Sequence, residues 1–505
     1  MKKISLLLLI LPQILSAQAD LEKIDQYLSK ARADWDIPGI SVAIVKDGKT
    51  VLSKGYGIKE SGHQNLVDEN TLFAIASNTK AFLSAALSIL VDDGEISWDD
   101  KVRKYIPEFT LYDSYVSNEA TIRDLLSHRV GLGTFSGDYI WYKSNLEVND
   151  LILKLKYLPQ DYPFRSGYGY SNLMYITAGE IINRVTGKNW DEFVNEAIFQ
   201  PLDMKNTVTS TDELSKSDNV ASPHKPFENG NQVLPWVNWN NMGAAGGIIS
   251  NASDMSKWMI IQLNNGIWNF DTIISPKQQN IMWTPHNNFT LSEKSKESIP
   301  GRHFAGYGLG WSVGDYHGNL IVSHTGGYDG MYSHVLLVPD LNLGITILTN
   351  SMKSISTPLC YYIINEYINK DNRDWSKEWL ERNQAADSEP GKIEQIKTTQ
   401  VKKTKPTLAL EKFEGTYSSG FHGEVIIKKI DKTFRLEFKN APALSATLQH
   451  WHYDTWQIIW DETHAWFDFG TVQFQLDNKL DVVGLKFDVP NYDIFFDEMD
   501  LKKND

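Results

Sequence analysis

A single cysteine, Cys360, among 505 residues leaves no intrachain disulfide to staple the fold. It sits in an apolar helical stretch, Leu359 to Ile364, which marks it as a packed thiol. No Cys/His cluster has zinc-ligand spacing, so neither a metal nor a cofactor is expected. Basic charge is also scarce: 49 Lys and Arg stand against 63 Asp and Glu, for a net charge of -14. Without a phosphate-neutralising excess, nucleic acid is not an expected partner. No apolar run reaches the roughly 18 residues a membrane helix needs. Nor does a G-x-S-x-G elbow surround any plausible serine, which disfavours an α/β-hydrolase.

The chain begins with Lys2 and Lys3, a short apolar run from Ile4 to Leu11, and the small residues Ser16, Ala17 and Ala19. That order is read as a signal peptide over residues 1–19, which implies a periplasmic or secreted protein starting near Gln18 or Asp20. No cysteine near the cleavage site is available to carry a lipid.

The remaining length exceeds what one core normally serves, so more than one domain is expected. Residues 20–370 read as an α+β domain. Leu21 to Trp35 has helical spacing, and two strands, Ile40–Val45 and Thr50–Tyr56, flank the turn signal Asp47-Gly48. An Ala/Leu-rich helix is expected from Thr79 to Asp92. Strands return at Leu320–Ser323, Tyr332–Val338 and Leu343–Leu348, with a helix from Thr357 to Ile368. Strands at both ends with helices between predict an antiparallel sheet closed by its own termini. Residues 371–407 are polar, contain Pro390 and Pro406, and read as a linker. Over 408–505, short alternating segments, Ala465–Phe469 among them, predict a small all-β sandwich or barrel.

Ser77-Asn78-Thr79-Lys80 is an S-x-x-K motif at a helix start. Three residues of helix bring the lysine over the serine, where a desolvated neutral amine can take the hydroxyl proton. A chain of this composition holds roughly two such matches by chance. The second, Ser222-Pro223-His224-Lys225, leads into no apolar helix and is set aside. Around Ser77 the context differs: Phe73-Ala74-Ile75-Ala76 precedes it and an apolar helix follows. Tyr170-Ser171-Asn172 and His324-Thr325-Gly326 come later in the chain, in that order.

With these motifs the chain resembles the serine β-lactamase and penicillin-binding-protein superfamily, in its class C β-lactamase and D-aminopeptidase-like branch. Thr121 to His128, Ala245 to Ser250 and Tyr307 to Trp311 match as well, and the resemblance spans about Ile24 to Tyr367. It implies a β-lactamase/transpeptidase-like fold and an acyl-enzyme on Ser77. Lys80 and Tyr170 would share the general-base work, each made more acidic by burial near the other's charge. Asn172 would hold Lys80 and the substrate amide. His324 and Gly326 would bind substrate on a strand, and the backbone N–H groups of Ser77 and Gly327 would form the oxyanion hole.

The expected partner is a small-molecule or peptide substrate, of cell-wall type. The expected activity is cleavage of amide or ester bonds, as in D-amino-acid peptidases or esterases. The alternatives are a β-lactamase and a penicillin-binding sensor that acylates with little turnover. His324 stands where lactamases carry lysine, and a mostly neutral imidazole speaks against efficient β-lactam hydrolysis. Arg129-Val130-Gly131 also departs from the usual small polar pair, and His128 reads as structural. The C-terminal domain resembles the lipocalin-like β domain appended to such hydrolases. Its His450-Trp451-His452-Tyr453-Asp454 stretch reads as aromatic packing, not metal ligation.

Overall fold

The computed structural model describes residues 19–227, 229–370, 373–388 and 391–504. The expected signal peptide thus lies outside the described residues, apart from Ala19. Asp20 caps helix α1 (Leu21–Asp34), its carboxylate accepting from Glu22 N and Lys23 N.

Strands β1 (Gly39–Lys46), β2 (Lys49–Gly57), β3 (Asn287–Phe289), β4 (Ala305–Tyr307), β5 (Ser312–Tyr316), β6 (Asn319–Tyr328), β7 (Met331–Val338) and β8 (Leu343–Thr349) form one antiparallel sheet. Their order is β2-β1-β8-β7-β6-β5-β4-β3. The first strand of the chain therefore pairs with the last of the sheet, Ile40 opposite Thr349, as the closure by termini required. β1 is buried on both faces, which is why it reads as an unbroken apolar run. Ile40, Val42 and Ile44 pack against α1 and helix α5 (Ser356–Ile368). Ala43 and Val45 face the other way, into a core shared with helices α2 (Thr79–Asp92), α3 (Asn172–Thr186) and α4 (Ala252–Leu263).

Residues 371–407, expected as a linker, carry helices α6 (Trp375–Ser388) and α7 (Lys392–Thr398). Trp375 is buried against Tyr361 with ring centroids 5.1 Å apart, and Trp35 Nε1 donates to Ser376 Oγ at 2.9 Å. Three apolar side chains, Trp375, Trp379 and Leu380, suffice to dock α6 although its overall composition is polar.

The C-terminal strands β9 (Gly415–Ser419), β10 (Gly423–Ile430), β11 (Thr433–Phe438), β12 (Ala446–His452), β13 (Thr455–Trp460), β14 (Gly470–Leu476), β15 (Val482–Asp488) and β16 (Leu501–Lys503) close into an eight-stranded barrel. Its interior is filled by Phe413, Tyr417, Phe434, Trp456 and Phe474. Ala465–Phe469, expected as a strand, is not one. Its buried and exposed residues alternate because Ala465, Phe467 and Phe469 pack against neighbouring surfaces, with no strand beside them.

An antiparallel barrel alternates its connections between two ends. Loops 420–422, 439–445, 461–469 and 489–500 share one end, and all four meet the α+β domain. Tyr139 packs on Phe421 and His422, and Asn145 N donates to Asn440 O. Lys225 pairs with Asp468 at 2.6 Å, and Gly137 N donates to Glu498 Oε2 at 2.6 Å. At the opposite end, the Asp454 carboxylate accepts from Thr407 N and Oγ1, tying down the approach from the helical segment. His450 Nε2 bonds Tyr453 O, and His452 Nδ1 accepts from Val401 N, so both histidines pin local backbone.

Candidate active site

Ser77 lies in a single 3₁₀ turn, Ala76–Asn78, that runs directly into α2. The residue before it, Ala76, is forced into the left-handed region with φ of 46°. For a residue with a Cβ this costs about 1–2 kcal/mol, so the surroundings must impose it. They do so from three sides. Ile75 N donates to Ile248 O at 3.0 Å, Asn78 Nδ2 donates to Ser333 Oγ at 2.8 Å, and Ser333 Oγ donates to Ile75 O at 2.7 Å. Gly326, paired with Ser333 across β6 and β7, completes the clamp. A Cβ there would sit 2.1 Å from Ile75 O, so only glycine lets β6 pass this close to the turn that carries Ser77.

Lys80 occupies the first turn of α2 and is wholly buried. Its Nζ donates to Asn172 Oδ1 at 2.7 Å and to Ala245 O at 2.8 Å, and lies 3.1 Å from Ser77 Oγ. Burial pulls its pKa down to about 7, with the nearby Asp138 carboxyl opposing the shift. The Tyr170 ring lies 4.7 Å from the same Nζ, and its phenol faces Ser77. Burial drives that phenol well above its ordinary value, and the Ser77 hydroxyl recovers only part of the change. The expectation that burial would make both groups more acidic therefore holds for Lys80 and reverses for Tyr170. Removing water disfavours whichever form carries charge, the ammonium of one and the phenolate of the other.

Asn172 opens α3, and its two amide ends face different partners. Oδ1 receives Lys80, and Nδ2 donates to Asp138 Oδ2 at 2.6 Å. Asp138 is buried, and its pKa is pushed up to about 8, chiefly by burial. The Trp141 indole N–H, the Asn172 amide and the Lys80 charge each offset part of that rise. His324 lies on β6 with both ring nitrogens engaged. Nδ1 bonds Thr325 O at 2.6 Å, and Nε2 lies 2.9 Å from Tyr307 Oη. A carbonyl only accepts, so Nδ1 carries the proton and Nε2 accepts from the phenol. Burial and the Lys80 charge lower the pKa to about 3, which keeps the imidazole neutral across the physiological range. His128, also left-handed at φ of 57°, accepts from Ser171 N through Nδ1 at 3.0 Å. It thereby holds the backbone that carries Tyr170 and Asn172, in line with the structural reading.

Ser77, Tyr170, Asn172, His324 and Gly327 line one cavity of about 370 Å³. Lys80 and Gly326 support Ser77 from within the protein. Sequence reasoning missed four contributors to this site. Asp138 carried no motif, the Ala245 carbonyl is backbone, and Trp466 and Asp493 reach the cavity from the barrel. A Cβ on Gly327 would lie 3.2 Å from Trp466 Cη2, so the barrel stands over the proposed oxyanion position.

A family model described as Beta-lactamase matches residues 24–360, and a domain of unknown function, DUF3471, matches residues 399–503. Among curated proteins, the unguisins hydrolase ungD' of Aspergillus campestris (strain IBT 28561) is 32% identical over 403 residues, covering 76% of this chain and 73% of its own. Protein flp of Staphylococcus aureus (strain MW2) is 27% identical over 355 residues, covering 69% and 66%. Two solved structures share the fold, each at 20% identity. The octameric penicillin-binding protein homologue from Pyrococcus abyssi aligns with a TM-score of 0.62 over 96% of this chain and all of that one. EstCE1, a hydrolase with promiscuous acyltransferase activity, aligns at 0.57 over 69% and 98%.

Proposed function

The chain belongs to the Beta-lactamase family, and from that premise we propose that it is a serine hydrolase that cleaves amide or ester bonds through an acyl-enzyme on Ser77. The observation that carries this reading is the hydrogen-bond account of Lys80. A neutral amine has two hydrogens and one lone pair. Asn172 Oδ1 and Ala245 O can only accept, so they take both hydrogens, and the lone pair is left facing Ser77 Oγ. With a pKa near neutrality, the neutral amine is abundant at working pH.

In this mechanism Ser77 Oγ passes its proton to Lys80 Nζ as it bonds to the acyl carbon. The carbonyl oxygen, now anionic, accepts from the backbone N–H groups of Ser77 and Gly327. Tyr170 stays a neutral phenol beside Ser77 and the nascent ammonium. It hands its proton to the leaving nitrogen or oxygen and is reprotonated from Lys80. A water molecule then loses a proton to the restored amine and attacks the acyl carbon, and the ammonium returns that proton to Ser77 Oγ as the acid leaves. The relatives, a hydrolase of unguisins and a hydrolase with promiscuous acyltransferase activity, support acyl chemistry of this kind. The neutral His324 speaks against β-lactams, because it offers no fixed charge to their carboxylate.

A fluorophosphonate probe with peptide mass spectrometry tests the assignment. The adduct is expected on the peptide containing Ser77 and is expected to vanish in Ser77→Ala. A folded wild type that takes no label, or a labelled mutant, overturns it. A screen of D-aminoacyl amides, short-chain p-nitrophenyl esters and a chromogenic cephalosporin then sorts peptidase, esterase and lactamase. Export is part of the same reading. Mature protein recovered from medium or periplasm is expected to start near Gln18 or Asp20, and cytoplasmic protein retaining Met1 would contradict it.

A further inference from the structure

A second cavity, of about 600 Å³, lies where residues 143–148 and 235–241 meet the barrel at Ala443 and Glu462. A third, of about 440 Å³, is walled by α3 and the helix Trp190–Val194. The two share Glu147, Val148, Asn240 and Asn241, so they form one continuous groove. It runs along the far side of the segment 235–242 from Ser77: Trp239 and Met242 line the Ser77 cavity, whereas Trp236, Asn238 and Asn240 line the groove. Seven of the groove's lining residues are asparagines. Several of their amides are held at one end and open at the other. The Asp212 carboxylate accepts from Asn238 Nδ2 at 3.4 Å and from Asn240 Nδ2 at 2.9 Å, which leaves Asn240 Oδ1 open. Asn183 Nδ2 donates to Asn189 Oδ1 at 3.3 Å, which leaves the carbonyl of one amide and the N–H groups of the other open. Asn145 and Asn149 are exposed, and their amides bond no other described residue.

We propose that this groove is a binding site for a neutral oligosaccharide, with Trp190 and Trp236 as the faces on which sugar rings lie. The site stands apart from bond cleavage at Ser77 and does not depend on it. A sugar hydroxyl both donates and accepts, and so does an amide, so a row of amides matches a row of hydroxyls with no charge on either side. Amides already held in place lose less freedom when the ligand arrives. The two indoles are half-buried, packed on the core from one side and lining the groove with the other. Trp236 rests on Tyr328 with ring centroids 5.1 Å apart. A Cβ on Gly243 would lie 2.9 Å from Trp190 Cζ2, so that indole rests against bare backbone. A large, flat apolar surface with a polar edge suits the C–H face of a pyranose ring. The groove's charges disfavour an anionic polymer. Lys143, the one lysine or arginine that lines it, pairs with Glu462 at 3.3 Å, while Glu147, Glu180 and Asp191 line it as well. None of its lining residues lies in a strand, so it offers a peptide no sheet edge to pair with.

Isothermal titration calorimetry on the intact chain tests this with three neutral sugars, cellotetraose, maltotetraose and N-acetylchitotetraose, beside tetragalacturonate and tetra-alanine. At least one neutral sugar is expected to bind with a Kd of about 1 mM or tighter, and at least about tenfold more tightly than the anionic sugar or the peptide. Trp236→Ala is expected to weaken that binding at least about tenfold. Asn145→Ala combined with Asn149→Ala, two exposed side chains that bond nothing in the protein, is expected to weaken it at least about fivefold. Thermal melts check that each variant is folded, and the asparagine pair decides the matter if Trp236→Ala is not. Phe135→Ala, which alters the Ser77 cavity and not the groove, is expected to leave the Kd unchanged. No neutral sugar bound at that level, equal or tighter binding of tetragalacturonate or tetra-alanine, or a Kd indifferent to folded Trp236→Ala or to the asparagine pair overturns the proposal. A loss in Phe135→Ala as large as that in Trp236→Ala overturns it too, by placing the sugar beside Ser77.

Discussion

Replacing Lys80 by methionine exchanges a buried amine for an apolar chain of similar length, and the consequences for rate and stability point in opposite directions. An ordinary lysine is neutral in roughly 0.04% of molecules at pH 7, whereas a group titrating near 7 is neutral in about half, a gain of about 1,000-fold in available base. The cause of that gain is the cost of keeping a cation in a site sealed from water. A pKa moved from 10.5 to about 7 corresponds to roughly 5 kcal/mol, taken as an upper bound. The folded state holds fewer protons on this group than the unfolded chain between about pH 7 and about pH 10.5, so this contribution to stability rises with pH across that window. Below it, the full penalty remains. Asp138 acts in the reverse sense: its raised pKa makes the folded state hold the extra proton between about pH 4 and about pH 8, and stability falls as pH rises there. Lys80→Met is therefore expected to lose acylation and to melt at a higher temperature at neutral pH. In the wild type, acylation by a neutral ester is expected to rise with pH around an apparent midpoint near 7 that belongs to the Lys80–Asp138 pair. Asp138→Asn removes the charge that holds Lys80 up, so its midpoint is expected to move to lower pH. Stopped-flow acylation across about pH 5 to about pH 10 measures both. A flat profile, a midpoint near 10, or a methionine variant that melts lower would refute the argument.

Ser77→Ala is expected to cut turnover by at least about 10⁴-fold with little change in melting temperature, read by steady-state assay and calorimetry. His324→Lys introduces a fixed charge and is expected to raise kcat/KM for carboxylate-bearing over neutral substrates by about tenfold; an unchanged ratio would mean another group meets the carboxylate. In the wild type both substrate classes are expected to share the midpoint near 7, with no further titration peculiar to carboxylate-bearing substrates, because His324 is held neutral. Gly326→Ala pushes a methyl against Ile75 O and Ser333 Oγ, so activity is expected to fall far more than the 1–3 kcal/mol or so that overpacking takes from stability. Gly137→Ala places a Cβ 2.6 Å from Leu158 Cδ1 and 2.8 Å from Phe421 Cζ at φ of 77°. It is expected to loosen barrel docking by about 2–4 kcal/mol, visible as new proteolytic cuts or an earlier melting transition.

The sheet and the meeting of Ser77 with Lys80 were legible because their signals are local. β1 and β8 read as apolar runs, and α2 was expected over the residues it occupies. Ser77 and Lys80 sit three apart, so helical geometry alone joins them. Asp138 could not be read in this way. Its meaning comes from the start of α3, more than 30 residues later, whose Asn172 amide bonds it. The same holds for Trp466 and Asp493, which meet Ser77 only because the barrel docks by one end. The alternation at Ala465–Phe469 imitates a strand, since any extended segment pressed against a surface buries every second residue. Helix α6 was hidden for the opposite reason, with only a few apolar side chains in a charged sequence. Tyr170 lies beside Ser77, but its acidity was misjudged, because desolvation acts on the charged form and a phenol and an amine carry theirs at opposite ends of titration.

The barrel interior is packed with aromatic rings, so this β domain is no vessel for a ligand despite its lipocalin-like outline. All its chemistry is left to the four loops of one rim, which lie where a lid would lie. Such a rim can be rewritten without disturbing the strands beneath it, much as antibody loops vary on a constant framework. Ser77, Lys80 and the left-handed turn at Ala76 belong to the other domain and tolerate little change. The two-domain architecture thus separates what must stay fixed for bond cleavage from what is free to diverge in choosing the molecule to be cleaved.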